Sequence, residues 1–164
     1  MRKIGLLSDT HGYLDPSVFQ YFQDCDEIWH AGDIGSVEII EQLSKFKPLK
    51  AVFGNIDDQA VRQLCPEHQQ FQCEQVDVWI THIGGYPGRY SSLVSRELKA
   101  NPPTLFIAGH SHIVKVQYDK NLKLLHLNPG AVGKQGWHTV RTLMRFEING
   151  DRIENLELIE LGKR

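Results

Sequence analysis

The chain has 164 residues, of which 41% are hydrophobic and 23% are charged, and its formal net charge is −2. This composition is typical of a soluble globular protein, and the length predicts a single domain spanning residues 1–164. The near-neutral charge excludes binding of a nucleic-acid polymer through bulk positive charge.

The cysteines and the apolar runs limit the compartments in which the protein is expected. Cys25, Cys65 and Cys73 lack the paired spacing of a disulfide framework or of a cysteine-rich zinc site. No apolar run approaches the roughly 20 residues of a membrane span, and we see no signal peptide before the first strand. We therefore expect a reduced, cytoplasmic protein that does not enter a membrane.

The first half of the chain alternates predicted strands with predicted helices. Short apolar runs predict strands at residues 4–7, 27–30 and 49–53. Pro16 and Ser36 mark the starts of two helices, because apolar residues spaced along one helix face follow each of them. The order strand, helix, strand, helix, strand predicts a parallel α/β sheet.

The second half is richer in strands. The predicted elements after Pro66 are strands at 70–75 and 76–81, a helix at 91–100, and strands at 104–108, 114–118, 122–127, 139–148 and 153–160. Hairpin turns are expected at 119–121 and 149–151. We therefore predict an α/β fold in which a second, more antiparallel sheet packs on the first and helices flank this two-sheet β-sandwich.

Polar residues of metal-binding types follow five of the apolar runs. The five pieces are Asp9-Thr10-His11, Gly32-Asp33, Gly54-Asn55, Thr81-His82 and Gly109-His110-Ser111-His112. Loops that leave the carboxyl ends of strands are where open α/β sheets bind their ligands. One such piece is weak evidence, but five in the same structural context are strong evidence for a site that holds two metal ions.

Each piece also has an ordinary structural interpretation when it is taken alone. Asp9 and His11 fit a capping aspartate and a surface histidine, and Gly32-Asp33 fits a turn. His82 fits a buried, hydrogen-bonded histidine. His110 and His112 form the strongest pair, because two imidazoles at alternate positions after a glycine favour metal binding over core packing.

Together the five pieces resemble the calcineurin-like metallophosphoesterases. The later Asn128-Pro129-Gly130 and the small size resemble the compact bacterial and archaeal phosphodiesterase branch of that family. The resemblance extends from residue 4 to about residue 148, and the motifs agree in type, order and placement at strand ends. It implies a four-layer αββα fold, in agreement with the pattern of elements.

The resemblance also implies how the ligands are shared between two ions. Asp9, His11, Asp33 and His112 would hold the first ion. Asp33, Asn55, His82 and His110 would hold the second, with Asp33 bridging. Oxygen and nitrogen ligands without thiolate favour divalent transition metals, with Mn²⁺ expected first and Ni²⁺, Fe²⁺, Co²⁺ or Zn²⁺ as alternatives.

The implied reaction is hydrolysis of a phosphodiester by a hydroxide that bridges the two ions, with Asp33, Asn55 and His82 as catalytic residues. One departure from the family pattern concerns the leaving group. Many members carry a histidine after the asparagine and use it as a general acid, but here that position is Ile56, which has no proton to donate. Asp57 follows and is expected to be charged at neutral pH.

The glycine-rich segment 82–90 predicts a loop over the site. In this loop Arg89 is expected to bind a phosphate, and Tyr86 or Tyr90 is expected to stack on a base. Outside the loop, Asn55 is also expected to contact the substrate. The structural alternative is a solvated arginine with locally packed tyrosines. Lys134, Trp137 and His138 are further candidates for the same cleft.

The leading hypothesis is therefore a metal-dependent phosphodiesterase that acts on a small-molecule phosphate ester. Two alternatives remain. The first is a catalytically weak metal-binding scaffold that resembles the metallophosphoesterase-fold subunit of the retromer coat, and the second is a phosphomonoesterase of the same family. A nuclease is disfavoured because a near-neutral chain offers no long basic track. The C-terminal strand at 153–161 suggests a free edge for homodimerisation.

Overall fold

The computed structural model describes residues 1–164 and contains four helices and twelve strands. The helices are α1 Ser17–Tyr21, α2 Val37–Phe46, α3 Gln59–Leu64 and α4 Ser92–Ala100. The strands are β1 Arg2–Leu7, β2 Glu27–His30, β3 Leu49–Ala51, β4 His68–Cys73, β5 Val76–Thr81, β6 Gly85–Tyr86, β7 Arg89–Tyr90, β8 Leu105–Ile107, β9 Lys115–Asp119, β10 Leu124–Asn128, β11 Val140–Asn149 and β12 Arg152–Lys163. None of the four helices has the length and hydropathy that spanning a bilayer requires.

Ten strands form two mixed five-stranded sheets. The first sheet has the order β12-β11-β1-β2-β3. In it β1, β2 and β3 are parallel, β11 is antiparallel to β1, and β12 is antiparallel to β11. The second has the order β4-β5-β8-β10-β9, with three parallel central strands and an antiparallel strand at each edge. The remaining strands, β6 and β7, form a short hairpin.

Three hydrophobic clusters define the layers. The central cluster lies between the sheets and includes Leu6 and Trp29 from the first sheet and Ile80 and Ile107 from the second. A second cluster packs α1, α2 and α3 on the outer face of the first sheet. A third packs α4 on the outer face of the second sheet, around Phe106. This α-β-β-α layering confirms the predicted two-sheet sandwich flanked by helices.

The sequence-based assignment of the last two strands to the second sheet is wrong. Strand β11 pairs antiparallel with β1, which places Ile4 opposite Phe146, and β12 pairs only with β11. Alternating hydrophobicity identifies a half-buried strand but does not specify its partner. Strand β12 is therefore a free edge of the first sheet, and homodimerisation through it stays a prediction.

Two local elements were not predicted. Helix α3 has six residues, too few for a clear helical period, and it is capped by Asp58, whose side chain accepts a hydrogen bond from the Val61 N–H at 3.0 Å. The segment predicted as a glycine-rich loop contains the β6–β7 hairpin, which turns at Pro87-Gly88. Gly88 has a φ of 88°, a conformation that glycine adopts without strain.

Candidate metal centre

The loops that follow the carboxyl ends of β1, β2, β3, β5 and β8 meet at one common edge of the two-sheet sandwich. Backbone hydrogen bonds join these loops directly: Asp9 N donates to Gly32 O at 2.9 Å and His11 N donates to Asp33 O at 3.0 Å. Within the second sheet Gly109 N donates to His82 O at 3.0 Å, and across the sandwich the His110 N–H donates to Asp9 Oδ2 at 3.1 Å. The fold therefore brings together the strand ends that carry the predicted ligands.

Six of the seven predicted ligands form two clusters of three. One cluster contains Asp9, His11 and His112, and the other contains Asp33, His82 and His110. Within each cluster, one donor atom from every residue lies within 4.8 Å of the others. The seventh predicted ligand, Asn55, has an exposed side chain and lines a cavity of about 180 Å³ together with His82.

One carboxylate lies next to histidines of both clusters. Asp33 Oδ2 is 3.1 Å from His82 Nε2 and 3.4 Å from His11 Nε2. The other Asp33 oxygen, Oδ1, accepts a hydrogen bond from the Ile56 N–H at 3.1 Å. The two clusters are therefore adjacent, and Asp33 lies between them.

The donor atoms fit a bound cation. Asp9 Oδ1, His11 Nε2 and His82 Nε2 are buried and have no hydrogen-bond partner. Buried polar atoms without partners cost about 1–3 kcal/mol each, so their accumulation at one place calls for a ligand. Two carboxylates and four imidazoles without thiolate form a donor set that divalent transition metals prefer.

Electrostatics keeps the carboxylates ionised, as metal ligation requires. Burial favours the neutral form of Asp33, but the His82 imidazole and the Ile56 N–H together outweigh burial and hold the pKa of Asp33 below its ordinary value. The same balance, with His11 and His112 as neighbours, holds the pKa of Asp9 well below its ordinary value. Conversely, the pKa of His82 is raised, because the neighbouring carboxylates outweigh its burial.

Strained backbone is concentrated at the same residues. Five of the eight non-glycine residues with positive φ are predicted ligands: Asp9, His11, Asp33, His110 and His112. Each such residue costs on the order of 1 kcal/mol and persists only where the surroundings enforce it. All five belong to the two donor clusters, so the strained backbone is concentrated where the donor atoms converge.

Neighbouring groups fix the orientation of the candidate metal ligands through hydrogen bonds. Asp9 Oδ2 accepts hydrogen bonds from Ser8 Oγ at 2.6 Å and from the His110 N–H at 3.1 Å, which leaves Oδ1 for the centre. Asn128 braces the His110 loop, since its amide nitrogen donates to Gly109 O at 2.9 Å. The motif containing Asn128 was recognised in the sequence, but this bracing contact was not.

Two histidines are held through their second ring nitrogens. His82 Nδ1 lies 2.7 Å from Ala31 O, so this nitrogen carries the proton and Nε2 has a free lone pair. His112 Nδ1 lies 3.1 Å from His138 Nδ1, and His138 Nε2 donates to Gly133 O at 2.8 Å. His138, which sequence analysis placed only in the cleft, thus contacts a predicted ligand directly.

Asp57 clamps the loops that carry Asp33 and Asn55. Its buried carboxylate accepts hydrogen bonds from the backbone N–H groups of Ile34, Gly35 and Gly54, at 2.7–3.1 Å. An acceptor engaged three times in this way is a positioning group and not a proton donor. Sequence analysis missed this role, because the three partners lie 3 to 23 residues away in the chain.

The residue at the position where the resemblance implies a general acid has a hydrocarbon side chain. Ile56 is 46% exposed, and only its backbone N–H contacts the centre, through Asp33. Arg62 of the unpredicted α3 holds this turn by donating from Nε to Asp57 O at 2.7 Å. Arg62 also lines the cavity beside Asn55 and His82.

The structure places the predicted substrate-binding residues of segment 82–90 in two different environments. Tyr86 and Arg89 lie on the β6–β7 hairpin and line a cavity that also includes His110. Tyr90 instead packs on Phe106, and its hydroxyl donates to Asp119 Oδ2 at 2.6 Å, so it is a structural residue. Tyr90 therefore follows the structural alternative of a locally packed tyrosine, and Tyr86 is the tyrosine that lines the cavity.

The two remaining cleft candidates make no contact with the clusters. Lys134 Nζ lies 4.2 Å from the ring centroid of Tyr13. Trp137 is fully exposed. Neither residue lines the cavities that contain His82 or His110.

Known proteins resemble this chain along its whole length. A probable metallophosphoesterase from Methanothermobacter thermautotrophicus is 31% identical over 170 aligned positions, which cover 97% of this chain and 92% of that protein. A structure described as a novel archaeal phosphodiesterase has a TM-score of 0.77 at 22% identity, covering 97% and 99% of the two chains. Wild-type Vps29 from Entamoeba histolytica in complex with Zn²⁺ has a TM-score of 0.72 at 15% identity, covering 97% and 98%.

The two structural neighbours, at these low identities, show the common fold alone. The family itself is shown by the archaeal relative and by a family model, described as the calcineurin-like phosphoesterase superfamily domain, that matches residues 2–151. These matches confirm the resemblance found in the five strand-end motifs. The chain belongs to the calcineurin-like phosphoesterase superfamily.

Proposed function

We propose that residues 1–164 act as one domain that hydrolyses small phosphodiesters at a binuclear centre of divalent transition-metal ions. The observation that carries the proposal is the pair of adjacent donor clusters, whose buried atoms lack partners within the protein. Membership of a phosphoesterase family supports hydrolysis of a phosphoester bond.

The ligand set follows from the positions of the donors. Asp9, His11 and His112 would hold one ion, and His82 and His110 the other. Asp33 would contribute to both, because its Oδ2 lies near histidines of both clusters. Asn55 would add its amide oxygen to the second ion and contact the substrate. When bound, such ions lower the pKa of coordinated water and neutralise charge on phosphoryl oxygens, with Mn²⁺ as the metal we expect first.

The chain's own residues determine which leaving groups can depart. Ile56 has no proton to donate, and the Asp57 carboxylate is engaged by three backbone N–H groups. Neither of the two residues that follow Asn55 in the chain therefore takes the place of the general acid that many relatives carry. The leaving group would depart as an anion, which favours activated esters.

Two cavities support a substrate with two ester arms. One contains Asn55 and His82 and has a volume of about 180 Å³. The other contains Tyr86, Arg89 and His110 and has a volume of about 410 Å³. Ile83 lines both, so the cavities meet beside the centre. A phosphodiester places one arm on each side of its phosphorus, whereas a monoester has a single arm.

A phosphomonoesterase is the second candidate. Arg89 and Lys115, which line the larger cavity, form no ion pair with a carboxylate and are available to a dianionic phosphate. Neither belongs to the two donor clusters, however, so both are better placed for a distal part of the substrate. The scaffold alternative is disfavoured because all seven predicted ligands are present.

The test compares turnover of bis(p-nitrophenyl) phosphate and p-nitrophenyl phosphate. Metal-stripped protein is assayed before and after addition of Mn²⁺, Ni²⁺ or Zn²⁺, with Asp33→Asn as the variant and Asp24→Asn as a control at an exposed aspartate. We expect metal-dependent diester hydrolysis that is lost in Asp33→Asn and retained in Asp24→Asn. Faster hydrolysis of the monoester would favour the second candidate, and metal binding without any turnover would favour the scaffold.

A further inference from the structure

The larger cavity beside the centre has a composition that the proposed chemistry does not explain. We call it the hairpin cavity; its walls include Tyr86, Arg89, Ser111, Lys115 and His126. Its volume of about 410 Å³ lies within the range of small-molecule binding pockets. His110 lines the cavity and also belongs to a donor cluster, so the cavity adjoins the centre.

The hairpin cavity carries positive charge that the protein leaves unpaired. Its lining contains Arg89 and Lys115 and no aspartate or glutamate. Lys115 Nζ lies 4.4 Å from the ring centroid of Tyr86, a cation–π contact that holds the ammonium at the cavity wall. Two unpaired cations in a concave wall attract an anionic group, and the arginine can bind one with two parallel hydrogen bonds.

The cavity also contains a buried polar group without a partner. His126 is 0% exposed, and neither of its ring nitrogens makes a hydrogen bond within the protein. Burial lowers the pKa of His126 to about 4, so near neutral pH the ring offers one donor and one acceptor. A protein gains no stability from two unsatisfied nitrogens, whereas a ligand with complementary heteroatoms would satisfy them.

We propose that the hairpin cavity binds the distal arm of the substrate and that this arm carries a second anionic group together with a heteroatom-bearing ring, as a mononucleotide does. Arg89 and Lys115 bind the anionic group, Tyr86 packs on the ring, and His126 hydrogen-bonds to its heteroatoms. The assignment of this arm to a substrate rests on the proposed phosphodiesterase function, but binding in the cavity does not require a metal.

The test measures binding to the metal-free protein, so that its outcome is independent of turnover. Thymidine and thymidine 5′-monophosphate differ by one phosphate, and their dissociation constants are compared by calorimetry. We expect the monophosphate to bind about tenfold more tightly, because charge-assisted hydrogen bonds to the added phosphate persist in a shielded wall. Equal affinities would overturn the proposal.

Variants show where the preference arises. In Arg89→Ala and Lys115→Met the preference should fall to about twofold or less, whereas Lys45→Ala, a charge-matched control on α2, should retain it. A preference that survives in both cavity variants would place the added phosphate elsewhere and overturn the proposal. Thermal unfolding of each variant identifies any that fails to fold, and for such a variant the conservative Arg89→Lys or Lys115→Arg replaces it.

His126 has a separate readout. In protein labelled with ¹⁵N at histidine, the resonances of the His126 ring nitrogens should shift when thymidine 5′-monophosphate binds. In His126→Leu, binding should weaken while the melting temperature stays close to that of wild type, because leucine keeps an apolar side chain against Phe106. Weaker binding accompanied by a lower melting temperature would indicate a purely structural role and overturn the assignment of His126.

The two proposals can fail separately. Metal-dependent hydrolysis of bis(p-nitrophenyl) phosphate without a preference for thymidine 5′-monophosphate over thymidine would overturn the distal-arm proposal and leave the proposed function intact. A clear preference in the metal-free protein without hydrolysis of any diester would overturn the proposed function. The cavity would then remain as an anion-binding site of this chain.

Discussion

The Nδ1 atoms of His112 and His138 lie 3.1 Å apart, and His138 Nε2 lies 2.8 Å from Gly133 O. A carbonyl accepts only, so His138 carries its proton on Nε2 and its Nδ1 accepts from His112. His112 Nε2 then keeps its lone pair and lies 3.0 Å from Asp9 Oδ1. A Cβ at Gly136 would overlap the His112 ring, so glycine at this position lets the chain pass close beside it.

We call the hydrogen-bonded chain from Gly133 O through His138 to His112 the relay. It predicts that His138 supports metal binding without contacting the metal. His138→Phe keeps a ring of similar size but removes the acceptor, and Mn²⁺ affinity measured by calorimetry should fall by about 10- to 100-fold. The neighbouring Trp137→Phe is the control, because Trp137 is fully exposed. Unchanged affinity in His138→Phe would show that the relay has no role in ligation.

Asp57 is expected to stabilise the fold more than its neighbour Asp58. Replacement of Asp57 by Asn puts an amide among three backbone N–H groups and should lower the free energy of unfolding by about 2 kcal/mol or more. Asp58→Asn should cost less than about 0.5 kcal/mol, because asparagine caps helices nearly as well. Urea denaturation of the metal-free proteins gives both values, and equal losses would contradict the clamp.

The buried histidines His30 and His126 predict a loss of stability in mild acid. Burial lowers the pKa of each to about 4, whereas in the unfolded chain each titrates near 6.5. Between these values the unfolded chain binds protons that the folded protein does not, so stability is present above pH 6.5 and is lost as the pH falls toward 4. For one histidine the full loss is about 3 kcal/mol.

Burial also lowers the pKa values of His110 and His138, so these two groups add to the loss below pH 6.5, whereas His82 and Asp33 do not. The pKa of His82 is raised, so its stabilising contribution is fully present below 6.5 and is lost only at higher pH. The pKa of Asp33 is lowered, so its contribution is lost only as the pH falls below its unfolded value of 3.8. Denaturation of the metal-free protein at pH 7, 6, 5 and 4.5 should show a smaller loss in His126→Leu than in wild type. Identical losses would mean that His126 is protonated in the folded protein.

Ile56 predicts a steep dependence of rate on the leaving group. Without a general acid, diesters of nitrophenol should react far faster than those of phenol or methanol. Ile56→His should raise turnover of the poor leaving groups by up to about 10²-fold and leave the nitrophenyl ester nearly unchanged. The control is Leu64→His at an exposed position of α3. A wild-type rate that does not vary with leaving-group pKa would contradict the absence of a general acid.

Much of the fold and most of the candidate centre could be predicted from local patterns. Short apolar runs identified the strands β1, β2, β5 and β8, and the polar residues after them lie at one common edge. Features that depend on distant contacts were missed. The pairing of β11 with β1, the clamp by Asp57 and the contact between His112 and His138 join segments that no local periodicity connects.

The central claim is that two metal ions bind between the strand ends, and anomalous diffraction from crystals grown with Mn²⁺ tests it most directly. The account predicts two manganese peaks per chain, one beside Asp9, His11 and His112 and the other beside His82 and His110, with Asp33 between them. A single peak, or two peaks away from these residues, would contradict the binuclear centre.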